Sequence, residues 1–220
     1  MISFKWRHFP KDIILMAVRW YIAYALSYRD IEEMMLERSV SVDHSTLNRW
    51  VIKYAPELEV EFRKQYKKSV GNSWRADETY IKSQGEWCYL YRAVDKEGNT
   101  VDFRLSKNRD AEAAKLFFEK AIGSNGLPEK VTIDKSGANC AGLEIINLQL
   151  AIFSIMLLSL VLCEEALKLQ INIRQIKYLN NIIEQDHRSI KKITKPMMGF
   201  KAFYSAEATI AVIELHRMLR

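Results

Sequence analysis

Residues 74–106 read WRADETYIKSQGEWCYLYRAVDKEGNTVDFRLS, and their spacing sets the fold. WRADETYIK is rich in strand formers and stops at Ser83-Gln84-Gly85. WCYLYRAVD follows, and Asp95-Lys96-Glu97-Gly98-Asn99 supplies a turn with glycine in place. In TVDFRLS, Val101, Phe103 and Leu105 alternate with Asp102, Arg104 and Ser106, the two-residue period of a half-buried strand. The expectation is an antiparallel meander of three strands. Asp77 stands inside the first. The same alternation sends Glu78 to the opposite face, so the two acids are not expected to line one site.

Towards the C-terminus, residues 110–122 read as a helix with Ala113, Ala114, Phe117 and Phe118 apolar. Residues 123–128 form a loop, KVTID is a short buried strand ending at Asp134, and INIRQIKYL is a last strand. YLNNIIEQDHRSIKK, residues 178–192, is then a helix, with Asn180 and Asn181 offering its start. The order βββαβαβα predicts an α/β fold with a mixed sheet flanked by helices. Asp134 falls at the C-terminal end of a strand, where open α/β sheets place their sites, although it can also cap the turn Lys135-Ser136-Gly137. On the last helix, Ile183 and Ile190 share one stripe, and Glu184, Arg188 and Lys191 share a neighbouring one. Glu184 alone fits a capping box with Asn181 and an ion pair with Arg188. It fits a metal ligand equally, with Lys191 facing a phosphate. The other two acids weigh towards the metal, because a carboxylate inside a hydrophobic sheet is costly unless paired or metal-bound.

The N-terminal third is helical. Asp12 can cap a helix over 13–25, Ser27 a second in SYRDIEEMMLERS, and Asp43 or Ser45 a third, DHSTLNRWVIKYAPEL, which buries Leu47, Trp50, Val51 and Tyr54. A further charged helix is expected over 57–68, and Gly71-Asn72 break it. Helix, short turn, helix, with polar and basic residues opening the last one, is the helix-turn-helix pattern. His44, Ser45, Thr46, Asn48 and Arg49 are its candidate groove-facing residues; a plain three-helix bundle is the alternative. The division is thus 1–72, a helical DNA-binding domain, and 73–220, a catalytic domain.

The chain has 220 residues, 49% hydrophobic and 27% charged, with a formal charge of +6. Residues 1–72 carry 12 Lys/Arg against 9 Asp/Glu, residues 73–173 carry 12 against 14, and residues 174–220 carry 9 against 4. Basic ends around an acidic middle suit a nucleic-acid binder that holds a carboxylate cluster. Cys88, Cys140 and Cys163 form neither a zinc pattern nor a disulfide framework and read as reduced core residues. MISFKWRHFPKD has no signal-peptide hydrophobic segment, and a cytoplasmic protein is expected.

WRADETYIK, GEWCYLYRAVDKEGNTVDF, VTIDKSGAN, IRQIKYLNNIIEQDHRSIKK and KPMMGFKAF together resemble the bacterial insertion-sequence transposases of the IS-six family, from about Phe9 onward. The resemblance implies a ribonuclease-H-like core carrying an Asp-Asp-Glu triad, with a basic residue seven positions after the Glu. Asp77, Asp134, Glu184 and Lys191 match those positions. It further implies two Mg²⁺ ions (Mn²⁺ a possible substitute), with Asp77 bridging them and Asp134 and Glu184 completing one shell each. Lys191 and Arg188 are then expected to hold a DNA phosphate. His187 is either a neighbour of these ligands or a surface group, and Trp74, Trp87 and Tyr80 are expected in the core, with stacking on DNA as the alternative. The implied partners are double-stranded DNA, as terminal inverted repeats and target, and at least a second copy of the chain.

One departure stands out. Between Asp134 and Glu184 lie 49 residues, a longer connection than in the family, and the surplus coincides with LQLAIFSIMLLSLVLC, 148–163, apolar on all sides. It is a longer buried helix, a lesion that displaces the last strand and leaves a relative that only binds DNA, or a membrane segment. Asn147, Gln149, Ser154 and Ser159 interrupt the run, and a span there sets Asp134 and Glu184 on opposite sides of a bilayer, so no membrane is expected.

Overall fold

The computed structural model describes residues 2, 4, 8–24, 26–66, 68–135, 137–161, 169–176 and 181–218, without the side chains of 157–161 and 181. These divide into two compact units. One holds 69–81 and 87–187; the other holds 1–68, 82–86 and 188–220.

The first of these units is built on a five-stranded sheet. The meander expected from the sequence is present as β1 (Ser73–Ser83), β2 (Glu86–Asp95) and β3 (Thr100–Ser106). β4 (Lys130–Ile133) and β5 (Asn172–Gln175) complete the order β3-β2-β1-β4-β5. β2 and β3 are antiparallel, whereas β1, β4 and β5 run parallel. β5 is shorter than the expected strand over 171–179, and its continuation over 177–180 lies outside the described residues.

Two helices cover one face. In α4 (Ala111–Asn125) the Asp110 carboxylate accepts from the Ala113 N–H at 2.8 Å, satisfying one of the orphan donors of the first turn. α5 (Gly137–Val161) packs against α4. Trp74, Ala76, Tyr91 and Ala93 of the sheet meet Ala113, Ala114, Phe117, Phe118, Leu143 and Ile146 of the helices in one core. The helices approach most closely at Gly142, whose absent Cβ leaves room for Ala114 and the Lys115 backbone.

The apolar run lies in the second half of α5. Gly137–Met156 is long and apolar enough to cross a membrane by length and composition alone. Its first turns, however, are core, while Leu148, Ile152, Phe153, Ile155 and Met156 are exposed. Over its described side chains, 148–156, the run therefore is not the buried helix considered above, and β5 keeps its place in the sheet. β5 pairs with β4 from Lys130↔Asn172 to Ile133↔Gln175. Asn147 fixes the entry to β5: its side chain donates to the Ile171 carbonyl at 3.0 Å and accepts from the Ile171 N–H at 2.9 Å.

The second unit is helical. α1 (Lys11–Ala23) starts after Pro10, so Asp12 lies in the first turn, where its charge suits the helix dipole, and is not the cap. α2 (Tyr28–Leu36) has the reciprocal Ser27–Asp30 capping box. Of the two candidates for the third cap, Asp43 is used: it accepts from the N–H groups of Ser45 at 2.8 Å and Thr46 at 3.3 Å. α3 (His44–Tyr66) then continues through Pro56 as one helix where two were expected. Proline denies a donor to only one carbonyl, and the buried Trp50, Val51, Tyr54 and Ala55 hold the helix right up to that gap.

α7 (Phe203–Met218) is apolar on most sides and buries Ala206 and every residue from Ala208 to Leu215, packing on α3 and α1. That need for cover explains why 188–220 group with the N-terminal helices and not with the rest of 73–220. The turn at 82–86 joins them through Phe200, whose N–H donates to the Lys82 carbonyl at 2.9 Å and whose carbonyl accepts from the Gln84 N–H at 2.7 Å.

Gly142→Ala is expected to lower stability by about 1–3 kcal/mol, since the new methyl falls 2.8 Å from both Ala114 Cβ and Lys115 N. Gly123→Ala, with nothing within 4 Å of its added Cβ, is expected to leave stability unchanged or raise it. Thermal denaturation of the two variants checks this.

Candidate active site

β1 and β4 are parallel neighbours with Arg75 opposite Thr132. Two residues further along each strand, Asp77 and Asp134 come level. The alternation of strand side chains places them on the same side. Ligand atoms of Asp77, Glu78 and Asp134 all lie within 4.8 Å of one another. Glu78 thus departs from the expectation. Its Cβ does point to the other face, but its longer side chain brings a carboxylate oxygen to the same cluster.

Each acid has its own neighbourhood. The Glu78 carboxylate accepts from Asn139 Nδ2 at 2.5 Å and from Arg109 Nε at 2.6 Å, and Arg109 completes an ion pair with it. Asn139 sits in the first turn of α5 and is 1% exposed. Asp77 is pushed up to about 7, foremost by burial, then by the negative charge of Glu78, Asp134 and Glu184; a hydrogen bond from the Glu78 N–H opposes this. His187 is buried, with Nδ1 3.7 Å from Asp77 Oδ2. Its position decides between the two expectations for it: it is a neighbour of the acids and not a surface group.

Glu184 lies in the first turn of α6 (Asn181–Thr194) and is exposed. It stands outside the 4.8 Å cluster of Asp77, Glu78 and Asp134, yet near enough for its charge to act on Asp77. The Asn181 side chain, its expected capping partner, and Asn180 lie outside the described residues. α6 is tied to the sheet by an ion pair between Asp186 and Arg92 of β2, whose guanidinium is fully buried. Sequence reading missed this pair, as it missed Arg109 and Asn139.

The basic candidates lie in the other unit. Arg188 and Lys191 are exposed and line a shallow cleft with Lys192, Lys195 and Pro196, so four cations gather where two were expected. The run of lysines at three- and four-residue spacing was the available signal. At the start of α3, Arg49 donates to Thr46 Oγ1 at 2.9 Å and to the Ser45 carbonyl at 3.3 Å, and His44 Nδ1 lies 3.1 Å from Glu32. His44, Ser45 and Asn48 also line a groove with residues 196–205. Of the three aromatics expected in the core, only Trp74 is there; Tyr80 is 46% and Trp87 59% exposed. Cys88 is buried, Cys140 is part-exposed, and Cys163 lies outside the described residues.

Hard oxygen donors from two parallel strand ends suit a small divalent cation such as Mg²⁺. A mixed sheet in the order β3-β2-β1-β4-β5, with acids level on β1 and after β4 and another on the helix after β5, is the ribonuclease-H-like arrangement. The DDE domain family of IS240-type transposases matches residues 71–220. The Staphylococcus aureus transposases for insertion sequence-like element IS431mec and for insertion sequence element IS257 in transposon Tn4003 are each 43% identical over 192 residues, covering 87% of this chain and 78% of theirs. The chain belongs to this IS-six family of DDE-domain transposases. A weaker likeness extends to the catalytic core of HTLV-2 integrase in complex with magnesium (15% identity, TM-score 0.42, 66% of this chain and 84% of that one).

A carboxyl raised to about 7 in the fold and ordinary when unfolded contributes metal-free stability that is fully present below about pH 4 and is lost as pH rises through 7, because the unfolded chain gives up the proton first. Melting temperature is expected to drop over that window, Asp77→Asn to flatten the drop, and added Mg²⁺ to raise stability above it. Arg92→Met is expected to cost about 3–5 kcal/mol by removing the buried half of its ion pair with Asp186, and Asp186→Leu in the same chain to return most of it; denaturant titration of the single and double variants checks this.

Proposed function

We propose that the chain binds the terminal inverted repeats of its insertion sequence and carries out metal-dependent strand cleavage and strand transfer. The observation that carries this reading is the meeting of Asp77, inside β1, with Asp134, just past the parallel strand β4, with Glu184 close enough to perturb Asp77. Asp77, Asp134 and Glu184 are the metal ligands in this reading, for two Mg²⁺ ions or Mn²⁺ in their place. Held by these three carboxylates, a metal would supply activation of the attacking oxygen and stabilisation of the leaving oxygen in an in-line displacement at phosphorus.

The chain's own groups supply the rest. His187 packs beside Asp77 and limits its rotation. Arg109 and Asn139 hold the Glu78 carboxylate beside Asp77. Arg188 and Lys191 hold a DNA phosphate, and His44, Ser45, Thr46, Asn48 and Arg49 meet the repeat in its groove. Water attacks first and frees a 3′-hydroxyl at the element end, and that hydroxyl then attacks target DNA. Joining two ends calls for at least a homodimer, acting in the cytoplasm where bacterial DNA lies.

The alternative, a relative that binds DNA without cutting it, rested on displacement of β5. The register of β5 on β4 at four successive positions favours the active reading.

DNA carrying the matching terminal repeats is expected to be nicked at its 3′ ends in Mg²⁺ and left intact in chelator. Asp77→Asn, Asp134→Asn and Glu184→Gln are each expected to lower the nicking rate about 10²-fold or more. Equal nicking by wild type and Asp77→Ala sinks the reading. Arg49→Ala is expected to weaken repeat binding and lower its salt slope by about one, measured by titration at several ionic strengths.

A further inference from the structure

The sheet face that carries the core does not end where the helices end. Trp74, Ala76, Glu78 and Tyr80 alternate along one side of β1, and the first two are buried under α4 and α5. Beyond Glu78 the helical cover stops and the row continues as exposed rings. Tyr80 packs edge-on to Trp87 at 6.0 Å between centroids and tilted against Tyr89 at 5.4 Å. Trp87, 59% exposed on a strand whose other large apolar residues are buried or half-buried, is not explained by packing.

A cation stands at the same place. Arg109, in the loop before α4, has Nη1 3.4 Å from Tyr80 Oη while its Nε donates to Glu78 at 2.6 Å. One residue therefore touches both the aromatic row and the acid cluster. Strand rise places Tyr80 about 7 Å beyond Glu78, or roughly two steps of stacked nucleotides.

We propose that Tyr80 and Trp87, with Arg109 beside them, seat an unpaired base of the DNA strand adjoining the acid cluster, Trp87 stacking on the base, Tyr80 bracing the indole edge-on and the guanidinium meeting the phosphate. The inference rests on the strand-cleavage reading for the identity of the ligand. Alternating aromatic faces and cations are what a frayed or single-stranded nucleotide recognises, and stacking tolerates any base. A protein-docking surface needs no guanidinium shared with the acid cluster. A nucleotide does, because the phosphate that follows the stacked base must pass the acids. Burial of Tyr80 and Trp87 against a duplex groove is disfavoured, since the two rings stand on neighbouring strands with planes 82° apart and share no flat face.

The test reads binding and not chemistry. Full-length protein carrying Asp77→Ala, in chelator, is titrated with a duplex ending in a short unpaired thymidine tail that contains one 2-aminopurine, and with the same duplex blunt-ended. Quenching of the tail fluorophore and about tenfold tighter binding of the tailed probe are expected. Trp87→Leu is expected to abolish both, and Trp87→Phe to retain most of both. Both substitutions are at an exposed position. Equal behaviour of the Leu and Phe variants, or no preference for the tail in the parent, overturns the proposal. So does a change of oligomeric mass with tail binding intact, which assigns the rings to a protein contact. Nicking assays on the Trp87 variants in an Asp77 background are separate: if wild type never nicks but the tail is quenched, the seat stands and the cleavage reading falls.

Discussion

Like charges crowded at the end of a hydrophobic sheet are the constraint on which this structure turns. Two carboxylates about 4 Å apart near a protein surface repel by roughly 4 kcal/mol, and here Asp77, Glu78 and Asp134 present three within 4.8 Å of one another. The surroundings answer each differently. Glu78 is neutralised by Arg109 and bonded by Asn139. Asp77 keeps its proton to about pH 7 and lies beside His187. Such a site is least comfortable when empty and fully ionised, and gains most from a cation.

The helix that carries the remaining acid is positioned by a different interaction. Asp186 pairs with the fully buried Arg92, while Ile183 and Ile190 are also fully buried. At 100° per residue Asp186 lies about 200° round from Glu184, so anchoring one turns the other outward, as its exposure shows. His187 lies only about 60° from Glu184 and contacts Asp77. Fixing Asp186 in the sheet thus fixes the side of α6 from which Glu184 approaches. The desolvation cost of a buried guanidinium is offset here by the placement it enforces, a role that an apolar pair, free to slide, does not fill.

What local rules govern was legible in the sequence. The strand period, the turn residues, and the caps Ser27, Asp43 and Asp110 act over a few residues, and Asp77 and Asp134 could be placed on their strands from them. What depends on distant contacts was not. Glu78 was assigned to the right face but kept out of the site, because alternation describes Cβ direction and ignores the reach of a longer side chain. Arg109, Asn139 and Arg92 come from a loop, a helix start and a strand with no period linking them to the acids. Trp87 and Tyr80 carry the composition of core residues, and only the length of α4 and α5 decides that they lie uncovered. Pro56 reads as punctuation, but its buried neighbours outweigh the single missing hydrogen bond. The grouping of 188–220 with the N-terminal helices follows from the nearly all-round burial of α7, which a local reading does not assign to a partner.

The long connection before Glu184 is absorbed in a way that separates its length from the site. Asn147 ties α5 to the backbone of Ile171 just before β5, and the apolar surplus begins one residue later, at Leu148. Residues added beyond that tie lengthen the helix by about 1.5 Å each along its own axis. They project past the sheet and do not enter it, which is why Leu148 to Met156 are largely exposed while β5 keeps its register. A polar side chain making two backbone hydrogen bonds at the root of the extension therefore insulates the parallel strands from whatever follows. An insertion on the other side of Asn147, among Leu143 and Ile146, has no such outlet: it must shift the face of α5 that packs on the core, and with it Asn139, which holds Glu78.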